Sequence, residues 1–118
     1  MDQLTKLQDQ LEKFREERDW KQFHNPKDLA ISLSLEASEV LEHFQWKNVD
    51  EVKAHIIEKK EDIAAELADV LYWLLLLSKD LNVDLEAAFQ KKMDKNAQKY
   101  PVDKAKGTHK KYTELETE

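Results

Sequence analysis

The chain of 118 residues has no cysteine, one glycine and two prolines. Without cysteine there is no disulfide framework, no thiolate zinc site and no cysteine nucleophile. Glycine is too scarce for the loops that cradle phosphates with backbone N–H groups, and neither G-x-x-x-x-G-K-[ST] nor G-x-G-x-x-G occurs. Any phosphate bound here must be held by side chains and metal ions. The longest apolar run, Val70–Leu77, is too short to span a bilayer. The opening residues, Met-Asp-Gln-Leu-Thr-Lys, lack the apolar core of a signal peptide. A cytoplasmic, soluble protein without a membrane partner is expected. A formal net charge of −6 argues against a nucleic-acid partner.

What is abundant is leucine, alanine, glutamate and lysine, an all-α composition sized for one domain. Five helices are expected. Leu4, Leu7, Leu11 and Phe14 recur at helical spacing over residues 3–18. A short connection, 19–24, carries Trp20, Phe23 and His24. Asn25-Pro26 then reads as the N-cap and first residue of a second helix, running to Phe44. Leu29, Leu33, Ala37, Val40, Leu41 and Phe44 form its core face, while Ile31 and Leu35 make a second apolar strip that suits a subunit interface. Asn48 or Asp50 caps a short helix near 50–57. The long helix 59–79 follows, closed by Asn82, and Asp84 caps a last helix over 85–99. The domain is set at residues 1–105. The polar remainder, 106–118, is expected to be mobile or docked on a partner subunit.

The long helix organises the rest. Its second half is apolar all round, the mark of a buried helix. Yet at about 100° per residue Asp62, Glu66, Asp69 and Trp73 fall within an arc of roughly 60°. A carboxylate that ionises in an apolar setting must be paired or coordinate a metal. The second helix carries its own pair, Glu36 and Glu39, with Glu36 inside the apolar face. Spacing of three puts each pair on one helix face. If the two helices pack antiparallel, Glu36, Glu39, Glu66 and Asp69 converge. Such a set calls for cations, and an all-oxygen site suits Mg²⁺ or Mn²⁺. The commonplace alternative is that these acids merely solvate helix surfaces and that the aromatics are core. A single E-x-x-E pair does not distinguish the two.

Three stretches in combination do: Glu36-Ala-Ser-Glu39 with Phe44-Gln45-Trp46, then Glu66-Leu-Ala-Asp69-Val-Leu, then Lys92-Met93, Asn96 and Tyr100-Pro101. Together they resemble the all-α nucleoside triphosphate pyrophosphohydrolases of the MazG type. The likeness extends to their dCTP pyrophosphatase branch through Glu17 to His24 and Lys111 to Leu115, covering roughly residues 11–115. It implies a four-to-five-helix MazG-like bundle assembled as an oligomer, a homotetramer first and a dimer next. It also implies cleavage between the α and β phosphates of a triphosphate, dCTP or a modified dCTP, to the monophosphate and pyrophosphate. By this likeness Glu36, Glu39, Glu66 and Asp69 hold Mg²⁺ and are the catalytic residues. Trp20, Phe23, His24, Trp46 and Trp73 form the nucleoside pocket, and Asn96 and Lys99 touch phosphates. Position 73 is Trp where the eukaryotic branch has Tyr, and Lys99 replaces an Arg, a point charge for a bidentate fork. A relative acting on dUTP or phosphoribosyl-ATP, and a non-catalytic helical assembly module, are the competing readings.

Overall fold

The computed structural model describes residues 2–115, which form two compact units, one ending at Val83 and one beginning at Asp84. Among the described residues there is no strand.

The first unit holds four helices: α1 (Gln3–Glu17), α2 (Pro26–Glu42), α3 (Val49–Glu58) and α4 (Lys60–Asp80). Their starts are written in side chains. The Asp2 carboxylate accepts from the Thr5 N–H at 2.7 Å, and Asn25 Oδ1 from the Asp28 N–H at 2.9 Å with Pro26 at the first helical position. Asn48 and Glu51 close a full capping box on α3. The aromatic connection between α1 and α2 folds as a 3-10 turn over Lys21–Phe23. α2 stops at Glu42, two residues before the sequence pattern suggested. Phe44 and Gln45 donate back to Leu41, and Trp46 turns the chain in the left-handed region at φ 67°. Asn82, also left-handed at φ 55°, ends the α4 region.

α4 is the central element, packing on α2, α1 and α3. Among the described residues, Leu29 of α2 and Leu75 and Leu76 of α4 are the buried hydrophobic ones. The expectation of a helix buried all round holds only for this stretch, because Leu67, Leu71 and Leu74 of α4 are exposed. Ile31 and Leu35 of α2 are exposed too, as the second apolar strip required.

A second buried feature is polar. Arg15 is fully buried, and its Nη1 and Nη2 each donate to an Asp80 oxygen at 2.8 Å. This fork ties α1 to the end of α4. Ser78 is buried beside it, donating to the Leu75 carbonyl and accepting from Gln8 Nε2 at 2.9 Å. At the other end of the unit, His43 Nδ1 lies 2.9 Å from His55 Nε2, linking the end of α2 to α3.

The second unit consists of α5 (Leu85–Lys99), capped by Asp84, the short α6 (Val102–Ala105) behind Pro101, and a 3-10 turn at Tyr112–Glu114. α6 carried no periodic signal in the sequence, being a single turn. Tyr112 meets Tyr100 edge-on, with ring centroids 6.1 Å apart. Within residues 106–118 the turn therefore folds back onto its own unit, and residues 116–118 lie outside the described ones.

Candidate active site

The acidic residues of α2 and α4 meet. One carboxylate oxygen from each of Glu36, Glu39 and Glu66 lies within 4.8 Å of the others. Glu39 interacts with Glu66, while Glu36, one turn earlier on α2, faces Trp73, two turns later on α4. That register makes the two helices antiparallel and brings the pairs together. Asp69 is exposed and stands outside this group of three.

The group is electrostatically uncomfortable by itself. Glu36 and Glu66 are half-buried, and Oε2 of each is shut away from solvent with no hydrogen-bond partner. Burial, and then the Glu39 carboxylate, push the Glu36 carboxyl above the ordinary range, with the Trp73 indole pulling slightly the other way. Glu39, itself exposed, is raised chiefly by its contact with Glu66. Buried acceptors without donors are costly and rare. Three carboxylates at this spacing, two of them each with an orphaned buried oxygen, are a donor set suited to a hard divalent cation.

An aromatic wall runs from this cluster along α4. Trp73 is half-buried and meets Tyr72 edge-on at 5.0 Å and His24 at 5.8 Å and 71°. Tyr72 contacts Phe14 at 6.4 Å, and Phe14 contacts Trp20 at 5.7 Å. Trp73 therefore adjoins the carboxylates through Glu36, His24 stands behind Trp73 on the side of Arg15, and Trp20 is reached through two further rings and packs on Phe14. Phe23 is exposed on its turn, and Trp46 is 92% exposed just beyond α2. Asn96 and Lys99 are half-buried on α5 in the second unit, where the Lys99 ammonium stands 4.7 Å from the Tyr112 ring centroid.

Residues 31–115 match the model of the MazG-like family. The chain belongs to the MazG-like family. Over 104 residues it is 44% identical to dCTP pyrophosphatase 1 of Rattus norvegicus, covering 86% of this chain and 61% of the rat protein. It is 42% identical to dCTP pyrophosphatase 1 of Homo sapiens, again with 61% of that protein covered. The chain thus spans somewhat under two thirds of the length of these relatives. A solved structure of a pyrophosphatase from Archaeoglobus fulgidus DSM 4304 superposes with a TM-score of 0.80 at 39% identity, covering 86% of this chain and 94% of that one. The all-α MazG-like fold inferred from the acidic and aromatic motifs is therefore the fold of the chain.

Arg15 was missed by the sequence reading. It belongs to this neighbourhood, because its Nη1 lies 3.4 Å from Nδ1 of His24. A signal was available: Arg15 follows Leu11 by four residues and Leu7 by eight, so it shares their apolar stripe.

Proposed function

We propose that this MazG-like chain is a nucleoside triphosphate pyrophosphohydrolase. Its substrate is a (deoxy)nucleoside triphosphate, dCTP or a modified dCTP, and its products are the monophosphate and pyrophosphate. The observation that carries this reading is the cluster of Glu36, Glu39 and Glu66, with two buried carboxylate oxygens lacking any partner. The relatives' names, dCTP pyrophosphatase 1 and pyrophosphatase, support the same chemistry.

Glu36, Glu39 and Glu66 would hold Mg²⁺ or Mn²⁺, with Asp69 one turn along α4 as the fourth carboxylate. When bound, such a cation neutralises phosphate oxygens and makes the phosphorus a better electrophile. The chain's own side chains do the rest. Trp73 offers a face for the base beside the carboxylates, and His24 adjoins that face. Trp46 is a large aromatic held out in a left-handed backbone conformation, a costly arrangement for a non-glycine residue and one that fits a ligand wall better than a core. Trp20 and Phe23 extend the aromatic surface; a phosphate-contact role for Asn96 and Lys99 rests on the family resemblance alone. A glutamate carboxylate takes a proton from water, the water oxygen attacks the α-phosphorus in line, and the α–β bridging bond breaks to release pyrophosphate.

Assembly is part of the proposal. Ile31, Leu35, Leu67, Leu71 and Leu74 are exposed apolar residues on α2 and α4. An open groove of about 170 Å³ between α1 and α4 is lined by Leu7, Leu11, Leu71 and Leu75. Faces this apolar suit burial against further copies of the chain, a homotetramer first and a dimer next. No helix among the described residues is long and apolar enough to cross a membrane, and we infer a cytoplasmic enzyme.

The test is pyrophosphate release from a panel of triphosphates, with Mg²⁺ and with chelator. Release that needs the metal and is fastest with a cytosine nucleotide is expected. Preference for dUTP or phosphoribosyl-ATP would reassign the substrate within the same chemistry. No release from any triphosphate would leave a helical assembly module.

A further inference from the structure

The cluster around Arg15 is not used by the chemistry above. Its guanidinium is buried at the junction of α1, α4 and the 3-10 turn that carries His24. Both terminal nitrogens donate to Asp80, Nη2 also donates to Glu12, and Nη1 approaches His24 Nδ1 at 3.4 Å. A guanidinium has donors only. At this contact Nδ1 must therefore be the acceptor, and the neutral ring carries its proton on Nε2. The same ring is seated edge-on against Trp73.

We propose that Arg15 is a positioning residue of the nucleotide pocket: gripped by Asp80 and Glu12, it holds the His24 ring beside Trp73 in the Nε2–H tautomer. His24 then offers one hydrogen-bond donor and no free acceptor. A base stacked on Trp73 is favoured if the edge it turns to His24 presents an acceptor, as the carbonyl oxygen of a pyrimidine does. This second step rests on the pyrophosphohydrolase reading; the state of His24 does not.

The charged groups facing His24 are Arg15 and Glu12 from α1 and Asp80 from α4; Lys21, on the same turn as His24, stands 3.9 Å from Glu12 and acts on Asp80. Burial, followed by the Arg15 charge, keeps the imidazole below its ordinary range, while Asp80 and Glu12 pull upward with less effect. The two sides of the clamp therefore act on His24 in opposite directions. A clasp that only joined α1 to α4 would not separate them.

The experiment is a pH titration of the full chain, labelled with ¹⁵N-histidine, by long-range ¹H–¹⁵N spectra. His24→Gln assigns the ring. The wild type should show His24 protonated on Nε2 at pH 7 with a midpoint below histidine's ordinary value of 6.5. Arg15→Gln removes the opposing charge, leaves two carboxylates facing the ring and should raise the midpoint. Asp80→Asn should lower it, and Arg15→Lys, which keeps the charge, should stay near the wild type. With the preferred triphosphate, Arg15→Gln should raise KM about tenfold, the worth of one charged hydrogen bond, and change kcat less. A wild-type proton on Nδ1, or midpoints moving the same way in Arg15→Gln and Asp80→Asn, would overturn the proposal. Should Arg15→Gln fail to fold, the wild-type tautomer and the Asp80→Asn shift still decide. A wild type with the Nε2–H tautomer that turns over no triphosphate overturns the assigned function and upholds the hold of Arg15 on His24.

Discussion

Trp46 gives the sharpest separation between a ligand wall and a structural residue. Its side chain is 92% exposed, so folding covers under a tenth of it. For an aromatic surface of about 250 Å² that is about 20 Å², worth about 0.5 kcal/mol at about 25 cal/mol per Å². Truncating a buried tryptophan would cost about 3–5 kcal/mol instead. The backbone adds a second handle. At φ 67° every L side chain is strained, and glycine should recover about 1 kcal/mol. Trp46→Ala should then lower the melting temperature by only a few degrees, and Trp46→Gly should hold it level or raise it slightly, at roughly 3–6 °C per kcal/mol for a chain of this size. If the indole stacks on the base, its loss removes about 1–3 kcal/mol of binding, or about five- to two-hundred-fold in KM. Thermal melts and Michaelis curves on the same preparations read both quantities. A fall of more than about 10 °C with KM unchanged would bury Trp46 in an interface and remove it from the pocket.

Other outcomes follow from the same geometry. In chelator, the raised carboxyls of Glu36 and Glu39 bind more protons in the folded than in the unfolded chain above their ordinary value of 4.5. Apo stability from this source therefore falls as pH rises through their folded values, and Glu36→Gln should flatten that fall in a melting-temperature series. Asp80 has the opposite sign: Arg15 holds its carboxyl below 3.8, so its contribution is present above that pH and lost as the pH falls through the folded value. Glu39→Gln and Glu66→Gln should abolish pyrophosphate release, weaken Mg²⁺ binding in calorimetry, and leave apo melts unchanged or higher. A variant that unfolds yet keeps its specific activity would make these residues structural. Asp80→Asn breaks a buried fork and should cost about 3 kcal/mol in urea denaturation, whereas an unchanged midpoint would show the pair to be dispensable. Sedimentation at micromolar concentration should find an oligomer, and a stable monomer would refute the assembly reading.

Local rules were enough for much of the chain. Caps are short-range devices, so Asn25-Pro26, Asn48 and Asp84 marked helix starts that the structure keeps. Helical period alone put Glu36 with Glu39, and Glu66 with Trp73, on shared faces. It could not decide whether the two faces meet, which depends on α2 and α4 packing antiparallel. That packing joins Glu36, Glu39 and Glu66, leaves Asp69 outside the group of three, and orphans the two buried oxygens. Nor could period tell that the apolar ring of α4 is only half covered by its own chain, since burial depends on the elements that surround a helix. Arg15 shows the limit most plainly. From its neighbours in sequence it is a charge on an amphipathic helix. Its full burial requires Asp80, 65 residues away, and its effect on His24 requires a turn nine residues further along the chain. Electrostatic pairs of that span exist only once the fold has brought their partners together.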